Sequence, residues 1–192
     1  MAIVVACGTQ QRAHFSDREL ARTIAPRASD FGRGWTAFFR TSPPPCLASE
    51  TACAAVNLSR HRGVLVSAVV AVFPTQAAAE RAMARSIAGW RVGATRKGTR
   101  IYGYRMAVSS RVVRRDAHAD QGVRIISATI RYRLLGGVPK RFHQDFIPFL
   151  ADLVAFRTGR VVANVEFDRA ARSQRATVVH RMLKRASQLS TN

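Results

Sequence analysis

The chain has 192 residues, 47% of them hydrophobic, which is enough apolar material for the core of one domain. No stretch approaches the roughly 18 consecutive apolar residues of a membrane-spanning helix, so a spanning helix is excluded. Lys and Arg number 31 against 11 Asp and Glu, giving a formal charge of +20 that attracts polyanions such as nucleic acid, acidic lipid headgroups or anionic envelope polymers. The preference for Arg over Lys is typical of a GC-rich genome, but genome bias leaves the shortage of acids unexplained.

The N-terminus carries a pattern of the kind found at bacterial lipoprotein cleavage sites. Val4 stands at position −3 and Ala6 at −1 before Cys7. The charged region and most of the apolar region of a signal peptide are missing, which a start codon assigned too far downstream would explain. The alternative is a short cytosolic strand that carries a free thiol. We predict lipidation at Cys7, with residues 1–15 as signal-peptide remnant and polar tether before one domain over residues 16–190.

The first helix is predicted to begin after Ser16, which forms a capping-box pattern with Glu19, and to end at Pro26. A glycine-rich turn over residues 30–35 then leads into a strand from Trp35 to Phe39.

A loop opened by prolines 43–45 carries Cys46 and Cys53, which are seven residues apart. A disulfide between them would close a short loop and stabilise the fold by about 2 to 2.5 kcal/mol. The alternative is two buried thiols in a reduced cytosolic protein. Because two cysteines in one proline-bounded loop suit an oxidising compartment, we predict the disulfide and an extracytoplasmic location.

A valine-rich apolar run from Gly63 to Phe73 predicts a central strand that is buried on both faces. Pro74 and Thr75 end this strand and start a helix. Its inward positions are predicted at helical spacing: Ala79, Met83, Ile87 and Trp90.

Residues 91–105 are predicted to be a glycine-interrupted loop or weak strand that forms a candidate anion-binding site. The basic side chains of this loop are Arg91, Arg96, Lys97, Arg100 and Arg105. Arg on a flexible backbone beside Tyr can neutralise phosphates, stack on bases, or hold an acidic headgroup or polymer. The alternative is a solvated loop in an Arg-rich chain.

The C-terminal half predicts strands over residues 106–114 and 123–134, then a hairpin with arms at 146–157 and 160–167. The buried side of the last arm is predicted to be Val161, Ala163, Val165 and Phe167. Asp168 is predicted to cap a final helix that directs inward Ala176, Val179, Leu183 and Ala186. This order predicts an α+β fold, with a single antiparallel sheet of about five to six strands covered by helices.

The order of these features resembles a known class of domain. The features are the cysteine and tether, the Asp30, Phe31, Gly34 and Trp35 motif, the Cys-bearing loop, the strand–helix unit and the hairpin around residues 156–163. The pattern is similar to small secreted and lipid-anchored α+β domains of high-GC Gram-positive bacteria. It is distantly similar to the extracellular sensor domains of their serine/threonine kinases and to PsbP-like lipoproteins. The resemblance implies an envelope location and a binding or sensing role, with no catalytic residues to transfer. The usual kinase-sensor domain has a second disulfide, which this chain cannot form without Cys7.

The sequence offers little catalytic or metal chemistry. Asp116, His118 and Asp120 have a ligand-like spacing, but they lie in a predicted exposed turn without a fourth ligand nearby, so we interpret them as a solvated hairpin tip. No zinc-protease, serine-hydrolase or phosphate-loop motif is present, and we predict no enzyme, cofactor or metal. Trp35 and Trp90 are interpreted as core residues.

The predicted function is therefore a non-enzymatic lipoprotein with a ligand-binding or sensor-like domain, which is held at the membrane by its lipid and binds acidic lipid or an envelope polymer. The alternative is a cytosolic basic protein that binds nucleic acid or another polyanion through residues 91–105.

Overall fold

The computed structural model describes residues 15–39, 49–60, 63–95, 104–114, 116–132 and 150–190. Its strands are β1 Trp35–Phe39, β2 Ala52–Arg60, β3 Gly63–Val72, β4 Tyr104–Arg114, β5 Gln121–Tyr132, β6 Leu150–Thr158 and β7 Val161–Asp168. Its α-helices are α1 Asp17–Ile24, α2 Gln76–Thr95 and α3 Arg175–Ser190, and 3-10 segments cover Ala28–Asp30 and Arg169–Gln174.

The strands form one seven-stranded sheet in the order β1-β2-β3-β7-β6-β5-β4. Every neighbouring pair is antiparallel. The chain runs from β3 through α2 to β4 at the far edge, and then returns strand by strand until β7 pairs with β3. This topology confirms the predicted α+β class with one antiparallel sheet covered by helices.

Strand β2 is missing from the predicted elements, because no strand is predicted between Phe39 and Gly63. The strand is rich in Ala and also holds Asn57, residue types that are depleted in strands. Its pairing with β3 supplies the stability that its own propensity lacks. Val56 and Leu58 are fully buried and fix which face of β2 points inward.

The main core lies between the sheet and the helices α1 and α3. The side chains of Val161, Ala163, Val165 and Phe167 are all buried in it, as predicted. The cap of α1 also matches the prediction: the Ser16 amide donates to a Glu19 carboxylate oxygen at 2.9 Å, and the Glu19 amide donates to the Ser16 hydroxyl at 3.3 Å.

The turn before β1 uses two glycines in the left-handed region, with φ of 97° at Gly32 and 82° at Gly34. This backbone brings the rings of Phe31 and Trp35 into a stack with centroids 4.4 Å apart. Trp35 is 7% exposed, which confirms its interpretation as a core residue, while the side chain of Trp90 lies outside the described part.

A second, smaller core lies under α2 on the opposite face of the sheet. Ala79 and Met83 of the helix are buried there, as predicted, and pack against Phe73, Ala155 and Val162. The Ala78 amide donates to the Thr75 hydroxyl at 3.1 Å and so satisfies one free amide at the start of the helix.

The prediction that β3 is buried on both faces is confirmed only where α2 covers the sheet. On the face under α2, Ala71 is buried, whereas Leu65, Ser67 and Val69 are half-buried. The four residues Val66, Ala68, Val70 and Val72 are buried on the other face, against α1 and α3.

The final helix begins later than predicted, because a 3-10 segment separates it from Asp168. Of its predicted inward residues, Val179, Leu183 and Ala186 are buried, whereas Ala176 is exposed; Val178 and Met182 are buried as well. The 3-10 segment Arg169–Gln174 places Ala171 in the main core.

Candidate functional site

Buried aspartates attach α3 and its 3-10 segment to the rest of the fold. Asp30 receives two hydrogen bonds from the Arg185 guanidinium, at 3.0 and 2.9 Å. Asp152, which is 2% exposed, receives two from Arg172, at 2.6 and 2.8 Å, and one from Arg175. These carboxylates therefore hold the helices to the sheet through charge-assisted hydrogen bonds.

The β6–β7 hairpin is tied to α2 by a buried arginine. Arg157 is 3% exposed and contacts Glu80 at 3.0 Å and Asp120 at 3.1 Å. Asp120 also accepts a hydrogen bond from the Gly159 amide at 2.6 Å. This network, too, serves the fold.

The residues of the predicted metal-like string, Asp116, His118 and Asp120, contact different parts of the fold. Asp116 is buried, not exposed as predicted, and its carboxylate lies 3.1 Å from Nδ1 of His180. His118 contacts the Ser187 hydroxyl at 3.3 Å, and Asp120 faces Arg157. The three residues of the string therefore have three different partners. No group of three possible metal ligands occurs within the described ranges.

Glu166 on β7 differs from the other acids. Its side chain is half-buried on the face away from the main core, and it makes no hydrogen bond or ion pair with the described residues. Burial, and secondly the negative charge of Asp168, raise the pKa of the Glu166 carboxyl. A half-buried carboxyl group without a partner costs stability, and folds keep such groups mainly where function needs them.

The strand register places Glu166 in a line of side chains across the sheet. Glu166 pairs with Ser67 of β3, which pairs with Asn57 of β2. The Ser67 hydroxyl donates to the Asn57 amide oxygen at 2.9 Å. Directly paired residues point to the same face, so these groups lie side by side. Asn164, two residues before Glu166, shares this face and has a buried amide oxygen without a partner in the described part of the chain.

We call Asn57, Ser67, Asn164 and Glu166 the polar row. Apolar side chains border it: the half-exposed Phe38 pairs with Asn57, and Leu153 pairs with Glu166. On the same face, α2 packs on Val162, four residues or about 13 Å along β7 from Glu166. The row is therefore a mixed polar and apolar surface beside α2.

The residues predicted as sites fall mostly outside the described residues. These are Cys7, Cys46, Arg96, Lys97 and Arg100. The Cys46–Cys53 disulfide stays a prediction; Cys53 lies in β2 and is half-buried.

Two residues of the predicted basic loop lie in regular structure. Arg91 belongs to α2, and Arg105 belongs to β4. The prediction of a loop or weak strand over residues 91–105 is therefore wrong for residues 91–95, which are helical, and is compatible with the strand that begins at Tyr104. A single Gly93 in the last turns of α2 costs only about 1 kcal/mol relative to Ala, which does not end a helix of this length.

No helix of the described ranges is long and apolar enough to cross a membrane. Comparison with known proteins found no matching family model and no matching curated protein. Among solved structures, the chain is similar to the extracellular domain of PknH from Mycobacterium tuberculosis. The two are 14% identical, with a TM-score of 0.47 over 82% of this chain and 78% of that chain. PknH is a distant structural neighbour of the kind that the sequence resembles, and at this similarity it transfers no site or ligand.

Proposed function

We propose that this chain is an extracytoplasmic, lipid-anchored and non-enzymatic domain that binds a ligand on the polar row. The observation that carries the binding function is Glu166: in a chain of net charge +20, its half-buried carboxyl group has no basic partner in the described part. A bound ligand that donates hydrogen bonds would supply the missing partner.

The chemistry of the polar row favours a ligand that carries hydroxyl groups. Carboxyl and amide oxygens accept from hydroxyls, and the amide nitrogens of Asn57 and Asn164 donate to them. The ring of Phe38 and the side chain of Leu153 offer apolar contact at either end of the line. Sites that combine a few placed polar groups with apolar walls are typical of small-molecule recognition. A glycan fragment of the envelope fits this description.

The row lacks the pairing that nucleophilic catalysis needs. The Ser67 hydroxyl donates to the Asn57 amide oxygen, which is not a base that could activate it. We therefore propose binding without chemistry.

Glu166→Gln should stabilise the protein at neutral pH and weaken ligand binding. The raised pKa means that the folded state binds more protons than the unfolded chain above the ordinary value of 4.5, so stability falls as the pH rises through that range. Because Gln does not ionise, Glu166→Gln removes this loss of stability, and the slope of unfolding free energy against pH should become flatter. Equilibrium denaturation across pH 4–8 measures the effect, and titration of soluble envelope glycan fragments into isotope-labelled protein measures binding.

The matched control is Glu19→Gln, since Gln also supports a capping box. Hydrogen bonds with Ser16 lower the pKa of Glu19, so this change should not raise stability at neutral pH and should leave glycan binding unchanged. Glycan-induced shifts that avoid the polar row, or equal binding by both variants, would contradict the assignment of the site.

The proposed location depends on Cys7. The Val4–Ala6 pattern before it and the predicted Cys46–Cys53 disulfide support an extracytoplasmic lipoprotein. Several acyl chains, each buried CH₂ contributing about 0.8 kcal/mol, would anchor the protein stably. We expect the gene, expressed with its natural upstream DNA in a bacterial host, to give membrane-bound protein.

In that experiment, Cys7→Ser should abolish the association and leave uncleaved precursor, as fractionation and intact mass would show. Cytosolic protein with an unmodified Cys7 would instead favour the cytosolic polyanion-binding alternative.

A further inference from the structure

The outer side of α1 is basic. The helix buries Leu20, Ala21 and Ile24 against the sheet. Arg18 and Arg22 are four residues apart, so they lie one turn from each other, and both are exposed.

This basic surface continues onto aromatic side chains. The guanidinium of Arg22 lies 5.8 Å from the centroid of the Phe39 ring on β1. Phe39 is 46% exposed. Phe15, directly before the cap residue of α1, is 48% exposed. We call Phe15, Arg18, Arg22 and Phe39 the α1 patch.

The clustering of exposed aromatic rings is specific to this part of the structure. Within the described ranges, the large hydrophobic side chains left exposed are Phe15, Phe38 and Phe39. Two of them belong to the α1 patch. The third, Phe38, is next to Phe39 in the chain but points to the opposite face of β1, where it borders the polar row. Among the described strands, β1 lies at the edge of the sheet.

The acids of α1 form no ion pair with the arginines of the α1 patch. Asp17 contacts Arg160 at 2.9 Å and the Thr51 hydroxyl at 2.5 Å, and Glu19 is bonded to Ser16. Arg18 and Arg22 make no ion pair with the described acids. Two free guanidinium groups beside two exposed rings match the chemistry of a membrane surface, where Arg binds phosphate and Phe enters the boundary between headgroups and acyl chains.

We propose that the α1 patch docks the domain onto a bilayer that contains acidic phospholipid. This inference builds on the proposed lipid anchor, since Cys7 is eight residues before Phe15 and a fully extended chain of that length spans at most about 28 Å. The anchor would therefore hold the α1 patch near the headgroups. The polar row, on the opposite face of the sheet from α1, would stay accessible to a ligand.

The test uses the full chain as Cys7→Ser, so that no lipid contributes, with vesicles of phosphatidylcholine alone or with about 30% phosphatidylglycerol. We expect sedimentation with the acidic vesicles only. Arg18→Ser with Arg22→Ser should weaken this binding about 20- to 30-fold, at about fivefold for each Arg near an acidic surface. Phe15→Ser with Phe39→Ser should also weaken it. Because all four positions are exposed, both double variants should leave thermal unfolding nearly unchanged.

The matched control is Arg81→Ser with Arg85→Ser, which removes the same charge from exposed positions on α2, across the sheet. We expect a much smaller effect. Equal losses for the two arginine pairs would overturn the proposal, because binding would then follow total charge. Strong binding to duplex DNA without binding to acidic vesicles would also overturn it. Failure of lipidation at Cys7 would leave this test unaffected, so the two proposals can fail separately.

Discussion

Replacing Phe167 by Ala should lower the free energy of unfolding by about 3–5 kcal/mol, the usual cost of removing a fully buried aromatic side chain. Phe167 is 0% exposed and lies on β7 between Val66 of β3 and Asp152 of β6. Its ring centroid is 6.5 Å from that of Phe31, so the cavity would open in the main core between sheet and helices. Equilibrium denaturation in urea measures the loss.

The control for this change is Phe38→Ala, which removes the same ring from a strand position that is 49% exposed. Its cost should stay within about 0.5–1 kcal/mol. A loss below about 1 kcal/mol for Phe167→Ala would show that β7 does not present this residue to the core.

Features encoded by neighbouring residues could be predicted from the sequence. The alternation of apolar residues in β7 identified its buried face, and the spacing of Ser16 and Glu19 identified the cap of α1. In both cases the residues that make the pattern also make the contacts, so no knowledge of distant segments was needed.

Features that depend on distant pairing could not be predicted in the same way. β2 is stabilised by its ladder with β3, and its own composition disfavours a strand. The start of α3 was misplaced because the 3-10 segment Arg169–Gln174 carries no clear sequence signal. Pairings of this kind between distant segments become visible only in the folded chain.

The polar row shows the same limit at the level of the site. The predicted buried side of β7 leaves Asn164 and Glu166 on the side away from the core, and the structure confirms that side. Nothing in the sequence aligned Glu166 with Ser67 and Asn57, because that alignment depends on the registers of two ladders and on the unpredicted β2. A polar residue inside an otherwise apolar strand, such as Ser67, was the available signal.

The attachment of α3 to the sheet gives a second large expected effect. Asp152→Ala should cost about 3 kcal/mol, because removing one partner of a buried ion pair leaves the other charge uncompensated. The value lies at the low end of the usual range since Arg172 is 49% exposed and can reach water, whereas Arg175 is 18% exposed. The hydrogen bond with Asp152, and secondly its negative charge, raise the pKa of Arg172.

Asp152→Ala should cost more than Arg172→Ala. Arg172→Ala leaves Asp152 paired with Arg175 and should cost only about 1 kcal/mol, the contribution of a partly exposed pair. Urea denaturation of the single variants measures both values. These variants should keep Phe167, because it pairs directly with Asp152 and the effects of changing both residues would not add. If Asp152→Ala and Arg172→Ala cost the same small amount, the buried carboxylate does not hold α3 to the sheet, and the hydrophobic contacts of Met182 and Leu183 alone maintain the helix in place.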